Sequence, residues 1–162
     1  MLLKRWLLFI VVFTFSLTVV LGLIIYFQAK APFKDVSETT EAYVIENKLL
    51  AQVDESYVYN SSSSIQTVIG TDAKGEEKAI FLPEKQTEDD IVEVKMKDGI
   101  SKEEAIELAM KDETDSKLLH AKLGVEEIGP VWEITYVNKT NKLNYVYLLF
   151  ENGDWWKRIS NL

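Results

Sequence analysis

Several residue types are missing or scarce in this chain, and each absence excludes a class of chemistry. The 162 residues include no cysteine, so disulfides, thiolate metal sites and cysteine nucleophiles are excluded. His120 is the only histidine, and no neighbour in the sequence completes a catalytic pair or metal cluster. We therefore interpret it as a structural residue.

Positive charge is also scarce. Lys4, Arg5 and Lys30 are the only charged residues among the first 31, so the remainder carries 15 basic and 26 acidic side chains, a net charge of −11. Such a surface repels phosphate backbones and anionic headgroups at long range. Nucleic acid is therefore not an expected partner, and the acidic surface indicates either simple solubility or a basic partner.

Motifs that carry catalysis are not found either. The serines at 61–64 lie in neither a G-x-S-x-G nor an S-x-x-K frame, and a hairpin turn explains them better. Acidic pairs such as Glu126-Glu127 are interpreted as solvated charge, because glycoside hydrolysis needs two acids across a sugar-sized cleft. Glycines are scattered, and no calcium-loop pattern is present. The sequence predicts a protein that is not an enzyme and uses no cofactor or metal.

One long apolar run stands near the N-terminus. Residues 6–27 hold no charge, and a helix of that length spans about 33 Å, which matches a bilayer core of about 30 Å. Lys4 and Arg5 precede the run, so the positive-inside rule places residues 1–5 in the cytoplasm and the chain after the helix outside. We predict a single-pass signal anchor in the cell membrane.

A cleaved signal peptide is the alternative interpretation of this run. Ala29 and Ala31 form an A-x-A pattern. The run is longer than the usual apolar region of a signal peptide, and Pro32 would follow the cut, which disfavours cleavage. The pattern therefore favours an uncleaved anchor.

The chain after the apolar run shows a repeated pattern of one helix followed by short strands. Asp35–Glu38 and Ser101–Glu104 have the capping-box spacing, and the first helix is predicted over about 36–51. In the second helix Ala105, Ile106, Ala109 and Met110 share one face. The predicted strands are Glu55–Tyr59, Ile65–Thr71, Lys78–Leu82, Ile91–Met96, Leu118–Leu123, Val131–Val137, Asn144–Phe150 and Trp155–Ile159.

This pattern predicts an α+β fold made of an N-terminal transmembrane helix and two small domains. The domains are expected at residues 33–97 and 98–162, each a helix packed on an antiparallel sheet. Units of about 60 residues bury little surface alone, so the two are expected to share an interface.

Aromatic residues crowd the C-terminal part. Trp155 and Trp156 are adjacent in a predicted strand, so they must point to opposite faces of the sheet. One can enter the core while the other is exposed. Because tryptophan is enriched at binding hot spots, Trp155 and Trp156 are candidate partner contacts, with cover for the sheet or domain seam as the alternative.

Four stretches carry a resemblance to a known family: VIGTDAKGEEKAIFLP, DGISKEEAIELAMKD, VWEITYVNKTNKLNYVYLLF and ENGDWWKRI. With the N-terminal anchor, they resemble the TseB-like cell wall elongation regulators of Gram-positive, Bacillus-type bacteria. The resemblance implies tandem PepSY- or cystatin-like domains, no catalytic residues, and association with a class B penicillin-binding transpeptidase. A PepSY-type inhibitor or chaperone of an extracytoplasmic protease is the alternative function, and a wall hydrolase with an acidic site is disfavoured.

Overall fold

The computed structural model describes residues 2–83 and 91–162. The chain divides into two compact units, Met1–Thr39 and Thr40–Leu162. The first is helical and the second holds all the strands.

Helix α1, Leu2–Glu46, contains the apolar run. Lys4–Gln28 is long and apolar enough to cross a membrane, close to the predicted 6–27. The separate helix start predicted at Asp35–Glu38 is wrong, because the backbone is helical throughout and a preceding turn already supplies hydrogen-bond acceptors. The helix also ends five residues earlier than predicted. Lys48 adopts a left-handed φ of 59° beyond it, and Leu50 is buried without being helical.

The first sheet follows in the order β1-β2-β3-β4, all antiparallel. Its strands are β1 (Gln52–Asn60), β2 (Ser64–Thr71), β3 (Glu77–Pro83) and β4 (Val92–Lys95). One face packs against the end of α1, where Val44, Leu50, Val68, Ile80 and Leu82 form a buried cluster.

A 3-10 helix, Met96–Asp98, leads to α2, Lys102–Met110. The capping box predicted at Ser101 is confirmed: its Oγ accepts from Glu104 N at 3.2 Å, and its N–H donates to Glu104 Oε2 at 2.8 Å. The second sheet has the order β5-β6-β7-β8. Its strands are β5 (Lys117–Glu126), β6 (Gly129–Val137), β7 (Leu143–Leu149) and β8 (Trp155–Ile159).

The two sheets share one hydrophobic core. Ile69 and Phe81 of the first sheet cluster with Ala105 and Ala109 of α2 and with Trp132 of the second sheet. The predicted α+β fold class, an apolar N-terminal helix followed by helices packed on antiparallel sheets, is therefore confirmed. The predicted domain boundary between residues 97 and 98 stays a prediction. It falls within the second compact unit, inside the 3-10 helix.

Candidate surface on the second sheet

The two candidate residues lie on β8, an edge strand of the second sheet. Trp155 is 50% exposed, and its ring lies 5.6 Å from the Arg158 guanidinium carbon. Arg158 in turn donates to the Tyr136 hydroxyl at 2.8 Å, on the face that packs against α2. Trp156 is half-buried and makes an edge-to-face contact with Tyr147, with ring centroids 6.0 Å apart. These contacts put the two tryptophans on opposite faces, as strand alternation predicts.

A β-bulge at Trp156 shapes its side of the sheet. Tyr147 pairs with Lys157 and Leu148 pairs with Trp155, so Trp156 is the extra residue. Two consecutive residues of the bulged strand then oppose one on the partner strand. As a result, Trp156 and Lys157 both lie beside Tyr147. Sequence reasoning missed this grouping, because a bulge leaves no clear pattern in the residues.

The face carrying Trp156 is the one turned away from α2. Alternation along the strands assigns Glu133, Thr135, Tyr145, Tyr147 and Ile159 to this outer face. Within the described residues, the other three sheet faces pack into the two buried clusters. Near β5, Tyr59 of the first sheet covers the outer face, where its ring lies against Gly124.

Tyr59 covers the β5 end by close contact with a glycine. The residue is 1% exposed, and a Cβ placed on Gly124 would lie 2.4 Å from a carbon of the Tyr59 ring. Its hydroxyl donates to Glu126 Oε1 at 2.7 Å, and Ser61 Oγ donates to the other oxygen at 2.6 Å. Burial raises the pKa of the Tyr59 hydroxyl, and the hydrogen bond to Glu126 raises it further.

A shallow cleft opens between this contact and the bulge. Its volume is about 630 Å³, and we call it the outer-face cleft. It is lined by Asn60, Ser61, Ser62, Glu126, Glu127, Tyr147, Trp156 and Lys157. The lysine Nζ lies 5.6 Å from the Tyr147 centroid and 5.7 Å from the Trp156 centroid. The aromatic pair therefore already holds a cation over its rings.

A histidine–carboxylate pair lies on the same face and was not predicted. His120 Nε2 lies 3.1 Å from Glu133 Oε1, and the Thr135 hydroxyl lies 3.5 Å from the same oxygen. Burial raises the pKa of the nearby Tyr147 hydroxyl, and the charge of Glu133 adds to this effect. A bulge between Leu118 and His120 sets this register, so regular pairing would not have found it.

Metal-binding geometry is not found in this region. Over residues 2–83 and 91–162, no group of three or more histidine or acidic side chains could hold a metal ion. The surface is instead an acidic and aromatic cleft on an otherwise packed sheet. Chemically, it can bind a ligand by stacking and by charge.

Fold and surface together define a class: a protein with an apolar N-terminal helix long enough to cross a membrane, followed by two antiparallel sheets, one of which carries an open cleft. Residues 39–83, from the last turns of α1 to the end of β3, match the family model described as "Cell wall elongation regulator TseB-like domain". The resemblance to TseB-like proteins seen in the sequence is therefore confirmed.

Two relatives extend the similarity beyond that domain. The chain is 28% identical over 160 residues to the "Probable cell wall elongation regulator TseB" of Bacillus subtilis (strain 168), covering 97% of this chain and 98% of that protein. Its structure is similar to that of the "YpmB protein from Bacillus subtilis", with a TM-score of 0.66 and 27% identity. That alignment covers 76% of this chain and 95% of the solved chain.

Proposed function

We propose that this chain is a membrane-anchored regulator of cell wall elongation that acts by binding a class B penicillin-binding transpeptidase. The observation that carries the proposal is the similarity to a probable cell wall elongation regulator along nearly the whole of both chains. The apolar helix at Lys4–Gln28 supports the anchor, and the family name is that of a regulator rather than an enzyme.

The orientation in the membrane is part of the proposal. Lys4 and Arg5 lie at the N-terminal end of this helix, just before its uncharged run, which favours a cytoplasmic N-terminus and would place both sheets outside the cell. A class B transpeptidase acts on that same side of the membrane, so the sheets would share a compartment with its catalytic domain.

The candidate contacts are Trp155 and Trp156. Both occupy the edge strand β8, and each has an aromatic ring beside a cationic side chain. Rigid aromatic side chains of this kind are common anchors in protein interfaces. The two rings lie on opposite faces of the sheet, so crosslinking from each position tests one face at a time.

The experiment is photocrosslinking in living cells. Full-length chains carry a photoreactive residue at Trp155 or Trp156, and penicillin-binding proteins are labelled with a fluorescent penicillin before purification. A fluorescent crosslinked band is expected. Glu107, exposed on α2, is the control position. Should no fluorescent band form with any probe on the second sheet, the proposed partner would be wrong. A crosslink to a non-fluorescent protease would favour the alternative function instead.

A further inference from the structure

The outer-face cleft combines an aromatic pair with negative charge that lacks a cationic partner. Among the described residues, Glu126 accepts hydrogen bonds only from neutral hydroxyls, those of Tyr59 and Ser61. Such donors orient the carboxylate but do not cancel its charge. Glu127 is exposed beside it. In the described part of the chain, neither carboxylate has a lysine or arginine nitrogen within 4.0 Å.

The aromatic side of the cleft shows which group it accepts. Lys157 Nζ lies over both the Tyr147 and Trp156 rings at distances typical of cation–π contacts. Lys157 itself is exposed and forms no ion pair among the described residues. It is therefore a replaceable occupant rather than a fixed part of the core.

We propose that the outer-face cleft docks a basic segment of the partner protein. An arginine or lysine of that segment lies between Glu127 and Glu126, and its stem packs on Trp156. Neighbouring apolar residues of the segment pack on the half-buried Tyr145 and Ile159 of the same sheet face. The proposal rests on the proposed function for the existence of a protein partner, and it adds the face and the chemistry.

Charge complementarity is the argument for this occupant. The chain beyond residue 31 carries a net charge of −11, so a basic segment is attracted at long range. Arginine fits better than lysine, because its planar guanidinium stacks on an aromatic ring while it donates to a carboxylate. Trp155 lies on the other face and is not part of this site.

The cleft can be tested with two short peptides and the full-length chain in detergent micelles. The probes are Ac-Leu-Arg-Leu-Arg-NH2 and its acidic counterpart Ac-Leu-Glu-Leu-Glu-NH2. Binding is followed by tryptophan fluorescence and, independently, by chemical shifts of backbone amides on β7 and β8. The basic peptide should bind saturably and more weakly at high salt, whereas the acidic one should not bind.

Variants separate the contributions. Trp156→Ala should weaken binding of the basic peptide about two- to fivefold, the range of an exposed cation–π contact. Glu127→Gln should weaken binding of this peptide about twofold or less, as expected for a surface ion pair. Glu107→Gln removes the same charge from α2 and should have no effect. Lys157→Gln should strengthen binding, because it removes the competing cation from the rings.

Equal binding of the two peptides, or indifference of the basic peptide to both Trp156→Ala and Glu127→Gln, would overturn the inference. The opposite response of Lys157→Gln guards against variants that merely unfold. This outcome is distinct from failure of the proposed function. A transpeptidase that still crosslinks to the chain after these changes would leave the function standing and place its contact elsewhere.

Discussion

Tyr59 of the first sheet contacts the second sheet through both its ring and its hydroxyl. Its ring fills the space left by the missing side chain of Gly124, and its hydroxyl holds Glu126 at the mouth of the outer-face cleft. An alanine at position 124 would need to displace that ring. Tyr59 therefore both packs the two sheets together and orients the Glu126 carboxylate.

Tyr59→Phe should change the pH dependence of stability. The pKa of the buried Tyr59 hydroxyl is raised above 10, so below about pH 10 it is protonated in both states and its contribution is constant. At higher pH the unfolded chain releases the proton and the folded chain retains it. The free energy of unfolding then falls by about 1.4 kcal/mol per pH unit for this group.

The variant should lose about 1 kcal/mol at neutral pH, because the hydrogen bond to Glu126 is lost. Above pH 10 its stability should fall less steeply than that of the wild type. Urea unfolding of the full-length chain in detergent, from pH 8 to 11, measures both effects. Parallel pH profiles would contradict the assignment of this proton to Tyr59.

At the scale of elements, α2 illustrates a prediction that local sequence decides. Ser101 and Glu104 satisfy each other's backbone groups, and Ala105 and Ala109 are buried at the predicted spacing. The two hydrogen bonds of this capping box join residues only three positions apart. This capping-box pattern can be recognised without knowledge of the rest of the fold.

Ser101→Ala should destabilise the chain by about 1 kcal/mol, the usual cost of removing an N-cap acceptor. Ser101→Asp keeps an acceptor and is the matched control, expected to stay near wild type. Both are compared by urea unfolding followed by near-ultraviolet circular dichroism. An equal loss in the two variants would show that the hydroxyl acts through something other than the cap.

In the sheets, the positions of the strands were predicted well, whereas features that depend on a neighbouring strand were not. All eight strands were found, with ends displaced by up to three residues, because turn residues and alternation mark them locally. The bulges at Trp156 and Leu119 were not found, since a bulge is set by the neighbouring strand. The opposite faces of the two tryptophans were predicted, whereas the cleft and the His120–Glu133 pair were not.

For the whole molecule, the decisive feature is the division between an apolar helix and a unit containing both sheets. The positive-inside pattern and the apolar length are visible in the sequence alone. A shared interface was also expected, because units of about 60 residues bury little surface alone, but the residues that form it, as distant as Ile69 and Leu148, were not predicted.

The proposed orientation can be tested through the lack of natural cysteine. Lys139→Cys lies in the exposed β6–β7 turn, and Lys4→Cys lies at the N-terminal end of the apolar helix. A membrane-impermeant maleimide added to intact cells should label the first and not the second. Both should react after the membrane is permeabilised, which serves as the control. Labelling of position 4 alone in intact cells would reverse the topology.

The hydroxyl of Tyr57 has a consequence for how this molecule can be observed. It accepts from the Leu123 N–H at 2.8 Å and donates to the Leu123 carbonyl at 3.2 Å, so a side chain of the first sheet replaces a neighbouring strand for one residue of the second. The amide proton of Leu123 is protected from solvent only while the two sheets are together. The hydrogen-exchange rate of this single amide proton therefore reports how often the two sheets separate.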